Sequence, residues 1–372
     1  MPEKFSYGFS IWRLLWNNLG ARPLRSTLSV VAIALQVFLI LLIVGLTTGV
    51  MAEWANRVEG VGADIMVQSP NSSIFFAVSS AVMQESVGET IARIEGVDEV
   101  APVLIVMDTQ NFLLVYGIDY PRFNALSKGF IFRRGRPFEK PDEALADDLV
   151  AQAGGLRVGS KVTLIGHEFT ISGIVEHGKG ARFFVPLRSA QDHAGADKRV
   201  SIFYVRSTGD TERTRARIVK RLPNYRIRST AEYLTLMSSS NLPELKPFIR
   251  SMMGLGVTIS FLVVLLTMHT MVLERTREIG ILKALGSSRF DILRLIVGET
   301  LLMAALGIAL GLICTYGVSA VLKHAVPTLA IKIPGDWIFR SMFLGIVGAV
   351  AGALYPAYRA AQSDPVDALA YE

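Results

Sequence analysis

With one cysteine and five histidines in 372 residues, the chain has little material for a disulfide framework, a redox pair or a metal centre. The cysteine, Cys314, falls inside an apolar run, so the long polar stretch of the chain carries no disulfide and needs an ordinary packed core. His167, His177 and His193 follow no metal-ligand spacing and have neither cysteines nor paired carboxylates beside them; they read as loop histidines, and no metal is expected. His269, with Met268 and Met271, reads as an interfacial polar residue among packing methionines, not as a haem ligand. No Ser/His/Asp order and no carboxylate pair stands out, so covalent chemistry is not expected of this chain. "GIVEHGKG", Gly173 to Gly180, imitates a phosphate loop, but Gly180 stands where Ser or Thr must bind magnesium. The following "ARFFVPL" reads as strand, where a phosphate loop needs a helix N-terminus. Charge is scarce as well: 19% of residues are charged against 51% hydrophobic, and the mean hydropathy is +0.41. The net charge of +6 belongs to flanks facing anionic lipid, and nucleic acid is not an expected partner.

What fills the chain instead is long apolar sequence. Thr27 to Val50, Met252 to Leu273, Leu295 to Leu322 and Trp337 to Tyr355 each reach the roughly 20 residues that cross a hydrocarbon core. The first run is longer than a signal-peptide core and is expected to stay as an anchor. Basic residues resist translocation, and Arg13, Arg22 and Arg25, then Arg275, Arg277, Lys283 and Arg289, then Arg359, all mark the same side. The expected organisation is therefore a cytoplasmic or interfacial amphipathic helix at 1–26, spans at 27–51, 251–273, 292–322 and 337–356, a cytoplasmic segment at 274–291, an outer loop at 323–336 and a cytoplasmic tail at 357–372. Residues 52–250 would form one large extracytoplasmic domain, with both termini inside.

The amphipathic helix is read from Ile11, Trp12, Leu14, Leu15, Trp16 and Leu19, ended by Gly20 and Pro23. In the outer domain "ADIMVQ", "NFLLVYGID", "KVTLIG", "FTISGIVE", "ARFFVPL" and "SIFYVRS" predict strands, and "VGETIARIEG", "DDLVAQAGG" and "TERTRARIVKRL" predict helices. That mixture predicts an α+β domain, in one or two lobes. Ser229 to Pro247 reads as the polar return to the membrane.

Inside the spans, Gly307 with Gly311 and Gly348 with Gly352 form GxxxG pairs, which let helices approach closely within one chain or between copies. Glu299 is costly in hydrocarbon and must face protein or a crevice; Gln36 makes the same argument more softly. Between the second and third runs, Ile279, Leu282 and Leu285 mark one face of a short helix, Gly286 ends it, and Ser288 with Asp291 resembles a capping box. Glu274, Arg275, Arg277, Glu278 and Lys283 project elsewhere. Such a helix suits either a solvated loop or a lever receiving force from a soluble partner.

"ERTREIGILKALGSSRFDILRLIVGE" closely resembles the segment shared by permeases of the FtsX/MacB family of ABC transporters, the type VII or mechanotransmission class. "GARPLRSTLSVVAIALQVFLI" is similar to that family's first-span entry. "GADIMVQ", "IEGVDEVAPV", "YGIDYPRF", "GRPF" with "DEALADDLVAQAGGLRVGSKVTL", and "FTISGIVE" resemble its MacB-like periplasmic core domain, and "YPAYRAAQSDPVDALAYE" its closing helix and tail. The resemblance implies four transmembrane helices with a large α+β extracytoplasmic domain inserted between helices 1 and 2, in a multi-pass protein of the bacterial inner membrane. It implies a permease without a fused ATPase, paired with a second permease copy and two copies of an ABC ATPase that alone binds ATP and magnesium. Glu274, Arg275, Arg277, Glu278, Ile279, Lys283 and Leu285 would then form the coupling helix. An adaptor and an outer-membrane channel would join if the system is tripartite. The substrate would be amphipathic: a lipid, lipoprotein, haem, drug or peptide. An FtsX-like regulator of a cell-wall hydrolase is the alternative, with a smaller outer domain.

Overall fold

In the computed structural model, the structure describes residues 23–72, 81–108, 113–237 and 245–362. The predicted amphipathic helix before Pro23 and the tail after Gln362 lie outside the described residues. Two compact units divide the chain, one of residues Met1–Thr48, Pro243–Leu322 and Ile331–Glu372, the other of Gly49–Leu242 and Lys323–Ala330.

The first unit is helical. Helix α1 runs from Pro23 to Gly60 and contributes residues to both units. Among the described residues, four helices are long and apolar enough to cross a membrane, with candidate spans Ser26–Gly60, Arg250–Glu274, Arg289–Ala325 and Gly335–Gln362. Each helix outlasts its apolar run. Residues 52–60, expected in the outer domain, continue α1, because Glu53, Trp54 and Arg57 are compatible with helix and no glycine interrupts before Gly60.

The second unit is built on a sheet in the order β12-β1-β11-β3-β4-β9-β6-β8-β5, with β7 on β8 and a separate β10-β2 pair. The strands are β1 (Ile65–Gln68), β2 (Met83–Gln84), β3 (Val97–Asp108), β4 (Leu113–Ile118), β5 (Phe132–Gly135) and β6 (Glu143–Asp147), followed by β7 (Lys161–Leu164), β8 (His167–Val175), β9 (Phe183–Pro186), β10 (Arg199–Val200), β11 (Ile202–Ser207) and β12 (Arg226–Ser229). Pairing is antiparallel except for β4 with β9 and β6 with β8. One continuous sheet, not two lobes, therefore carries the domain.

Side chains alternate across a strand, and here both faces are buried. Ile65, Val67, Val115, Phe183, Val185, Phe203 and Val205 pack on one side. Met66, Tyr116, Ile118, Phe184, Ile202 and Tyr204 pack on the other. That double burial is why "SIFYVRS" and "ARFFVPL" are continuous apolar runs rather than alternating ones. Helices α2 (Val87–Ala92), α4 (Asp148–Gly154), α5 (Leu187–Ala194) and α6 (Thr211–Arg221) add Ile91, Val150, Leu187 and Ile218 to the first face. Helices α3 (Tyr120–Leu126) and α7 (Thr230–Met237) add Phe123 and Tyr233 to the second. The Tyr116 and Tyr204 hydroxyls lie 3.3 Å apart in that core. Burial pushes both phenols above their ordinary value, so they stay neutral as hydrogen-bonding groups.

The polar return to the membrane needs correction. Residues 230–237 are helix α7, anchored by buried Tyr233, and only 238–244 of that stretch lie outside the described residues. The false phosphate loop is a strand followed by a turn: Lys179 Nζ donates to the Ser127 carbonyl at 2.5 Å and stands over the Phe130 ring.

Candidate functional site

Helix α8 (Leu245–Glu274) ends in a break at Arg275, and the nine-residue α9 (Thr276–Ala284) follows. Two local devices fix α9. At its end Gly286 adopts φ +96°, the Gly286 N–H donates to Lys283 O at 3.0 Å and the Ser287 N–H to Leu282 O at 3.0 Å. That is a Schellman turn, which satisfies carbonyls the helix leaves open. Next, the Ser288 N–H donates to Asp291 Oδ2 at 2.9 Å and the Asp291 N–H to Ser288 Oγ at 3.2 Å, a reciprocal cap that starts α10 (Arg289–Ala325).

The residues predicted to meet a partner divide into two groups. Arg275 turns inward, its side chain 12% exposed, and its Nη1 donates to Glu299 Oε1 at 2.9 Å. Ile279 is buried in the helical core. Lys283 Nζ donates to the Ala361 carbonyl of α11 (Gly335–Gln362) at 2.6 Å. Arg275, Ile279 and Lys283 therefore fasten α9 to its neighbours. The reason is the break at Arg275: its φ of −105° and ψ of 11° interrupt the helix and turn that side chain toward α10. Glu274, Arg277, Glu278 and Leu285 are exposed, Leu285 at 80%, and with them Ile281, Leu282 and Phe290, the last at 69%.

Glu299 faces protein as its cost in hydrocarbon demands, 2% exposed with the Arg275 guanidinium beside it. A cavity of about 140 Å³ adjoins this pair, lined by Met271, Ile279, Ile292 and Ile296. The glycines act inside one chain. A Cβ on Gly307 would sit 2.8 Å from Ile33 Cβ and 2.9 Å from Val30 O, and one on Gly352 would sit 2.7 Å from Phe261 O. Gly311 meets Ala34 O in the same way, whereas Gly348 has ordinary space, its nearest neighbour 3.7 Å away. Gln36 is buried at 2% exposure, and its amide has no hydrogen-bond partner among the described residues.

A polar network in the second unit was invisible in the sequence. Arg182, with a side chain 6% exposed, donates from Nη1 to Asp147 Oδ2 at 3.0 Å and from Nη2 to the Thr328 carbonyl at 2.9 Å. Its Nη2 lies 3.7 Å from Glu53 Oε1, to which Arg57 Nε donates at 3.0 Å. Burial pushes the Asp147 carboxyl up, while the Val150 N–H and Arg182 pull it back; burial likewise pushes Arg182 down. The network joins the end of α1, the end of β6, the approach to β9 and the 323–330 loop. No local signal marks it, since the partners are up to 146 residues apart.

The family model for the MacB-like periplasmic core domain matches residues 26–221, and that for the FtsX-like permease C-terminal region matches residues 250–365. The chain belongs to the MacB/FtsX-like ABC permease family. As such a permease with four candidate spans, it is a multi-pass membrane protein. It is 24% identical over 403 aligned residues to the macrolide export ATP-binding/permease protein MacB of Wolinella succinogenes, covering 98% of this chain and 61% of that protein. It is 30% identical over 128 residues to MacB of Bdellovibrio bacteriovorus, covering 34% of this chain and 20% of that one. An uncharacterised ABC transporter permease of Methanocaldococcus jannaschii is 29% identical over 146 residues, 38% of this chain and 36% of that one. The permease thus spans between 20% and 61% of the length of these relatives. Among solved structures, the periplasmic region of MacB from Actinobacillus actinomycetemcomitans aligns at 15% identity and a TM-score of 0.37, covering 49% of this chain and 96% of that one. The extracellular domain of the transporter YknZ aligns at 16% identity and 0.35, covering 45% and 98%.

Proposed function

We propose that this permease works with an ABC ATPase, two copies of each, and converts ATP-driven closure of the ATPase into motion of the extracytoplasmic domain. Its cargo is amphipathic: a lipid, lipoprotein, haem, drug or peptide. ATP and magnesium are held by the ATPase, and this chain binds no cofactor. The protein lies in the bacterial inner membrane with both termini cytoplasmic, and an adaptor with an outer-membrane channel completes it where the system is tripartite.

The carrying observation is that α9 is pinned on its inner side and apolar and charged on its outer side. The Arg275–Glu299 pair holds it to α10, Lys283 holds it to α11, and Ile279 seats it in the core. A push on Glu278, Arg277 or Leu285 then moves whole helices instead of bending a loop. Buried charge pairs of this kind resist separation, because losing one partner leaves an uncompensated charge, a loss of about 3–5 kcal/mol. Exposed leucine and phenylalanine beside charge suit a protein groove better than water. The Arg182 network supports the second half of the reading, since it ties the end of α1 to the β-domain. The match over residues 26–221 to a MacB-like core favours transport over the FtsX-like regulator of a hydrolase.

Co-expression with its ATPase tests this. Glu278→Lys with Leu285→Asp should abolish co-purification or cargo-stimulated ATP hydrolysis while the permease stays folded; unchanged co-purification and stimulation would refute the coupling role. For topology, Glu139→Cys, whose native side chain is 72% exposed, should react with an impermeant maleimide in intact spheroplasts.

A further inference from the structure

On the β-domain, three arginines converge on one cleft. It has a volume of about 410 Å³ and is lined by Arg133, Arg134 and Arg157, with Asp148 on one wall and Leu156 and Ile174 as apolar surface. Consecutive residues of a regular strand point to opposite faces, so Arg133 and Arg134 should not share a cleft. They do because β5 is bulged: Phe132 pairs with Val175 and Arg134 with Ile174, leaving Arg133 as the extra residue. A bulge of this kind re-aims side chains. Gly135 permits it, with φ +80° and a position where a Cβ would lie 2.7 Å from Gly173 Cα.

The third arginine is held by its own loop. Helix α4 ends at Gly155 with φ +61°, the Arg157 N–H donates to Ser160 Oγ at 2.9 Å, and the Ser160 N–H donates back to Arg157 O at 2.9 Å. Arg133 is shared with Glu176 at 3.3 Å. Among the described residues, no carboxylate pairs with Arg134 or Arg157. The single acid in the wall is occupied: the His177 N–H donates to Asp148 Oδ1 at 3.1 Å, and His177 Nδ1 lies 2.9 Å from the same oxygen. Arg136, close in sequence, does not contribute, because it is fully engaged with Glu143.

We propose that this cleft binds a phosphate-bearing ligand, with Arg134 and Arg157 as the anion-gripping residues and Arg133 in support. Planar guanidinium groups hold phosphate oxygens in pairs, and two uncommitted cations match the charge of about −2 on a phosphate monoester. The cleft is larger than a bare anion needs, and Leu156 and Ile174 give the organic substituent an apolar surface. A charged edge strand by itself protects against strand pairing, but that purpose needs neither a concave wall nor a bulge that brings neighbouring arginines to one side.

The test uses the full chain purified in detergent. Glycerol 3-phosphate is titrated calorimetrically, and retention of phosphatidic acid over phosphatidylcholine from mixed micelles is counted by native mass spectrometry. Saturable binding to either probe is expected, weakened at least about tenfold by Arg134→Gln with Arg157→Gln, since both charged grips on the phosphate are lost. Arg213→Gln, at a distant surface arginine 82% exposed, should leave it unchanged. Retention of the lipid alone identifies a membrane headgroup, and binding of glycerol 3-phosphate alone a soluble phosphate compound. Binding of neither, equal loss in the Arg213 variant, or unchanged binding with lower solubility in the Arg134/Arg157 variant would overturn the site. ATPase coupling is not involved in any arm, so the site stands or falls separately from the proposed function.

Discussion

The two units of this permease bury themselves with opposite chemistry. The β-domain fills its core with large side chains, Tyr116, Phe123, Phe169, Phe183, Phe184 and Phe203 all essentially inaccessible. The helical unit packs along Gly307, Gly311, Gly352 and a stripe of Ala349, Ala353, Ala357 and Ala360. Water drives the first kind of core, because each large apolar side chain removed from it is favourable. Lipid offers no such drive between helices, so close approach and dispersion decide the second. The two kinds of core should therefore fail to different substitutions.

The sharpest break is expected in the β-domain. Phe184 is 1% exposed and meets the rings of Tyr116, Phe123 and Phe130 at centroid distances of 6.1, 6.0 and 5.0 Å. Phe184→Ala should cost about 3–5 kcal/mol and lower the melting temperature of the β-domain. A loss under about 1 kcal/mol would mean that the core collapses around the missing ring and that size is not what holds it.

In the helical unit the expected effect is smaller and comes from adding atoms. Gly352→Ala drives a methyl group against Phe261 O and Leu265 N, which are backbone and cannot rotate away, at about 1–3 kcal/mol. Among the described residues nothing lies within 4 Å of a Cβ placed on Gly317, so Gly317→Ala should stabilise its helix by up to about 1 kcal/mol. Opposite signs in a detergent melt would show that close approach, not glycine itself, decides packing within the helical unit; equal signs would refute that account.

How much of this was legible in the sequence depends on the range of the interaction. The spans could be read because hydrophobic length is a local quantity, and the strands because β-branched runs between turn residues are local too. Strand β3, the longest among the described residues, is missing from the predicted strands, and Pro102 interrupts its apolar pattern. The structure accommodates Pro102 one residue outside the stretch paired with β4, which begins at Val103. The candidate site was half legible: the helix, its Gly286 stop and its Ser288 cap follow from neighbours in the chain. The sequence places Arg275 only off the apolar face of that helix, because its partner Glu299 lies 24 residues on. Arg182 with Thr328 and the Arg133–Arg134 cleft escaped for the same reason, one needing a distant loop and the other a bulge that composition does not signal.

The smallest effect separates the units by pH. Arg136 grips Glu143 with both arms, at 2.7 and 3.1 Å, and the Glu139 and Lys140 N–H groups donate to the same carboxylate. The guanidinium, more than the backbone donors, holds that carboxyl down to about 2 from an ordinary 4.5. Because the folded value is the lower one, this contribution is fully present above about pH 4.5 and is lost as pH falls toward about 2. Glu143→Gln should therefore be less stable than the parent at neutral pH, and the gap should close across that acid window. The helix contacts at Gly307 and Gly352 involve no titrating group, so the Gly352→Ala penalty should stay constant over the same range. A gap for Glu143→Gln that is flat with pH would show that packing around β6, not the ion pair, is what the side chain contributes.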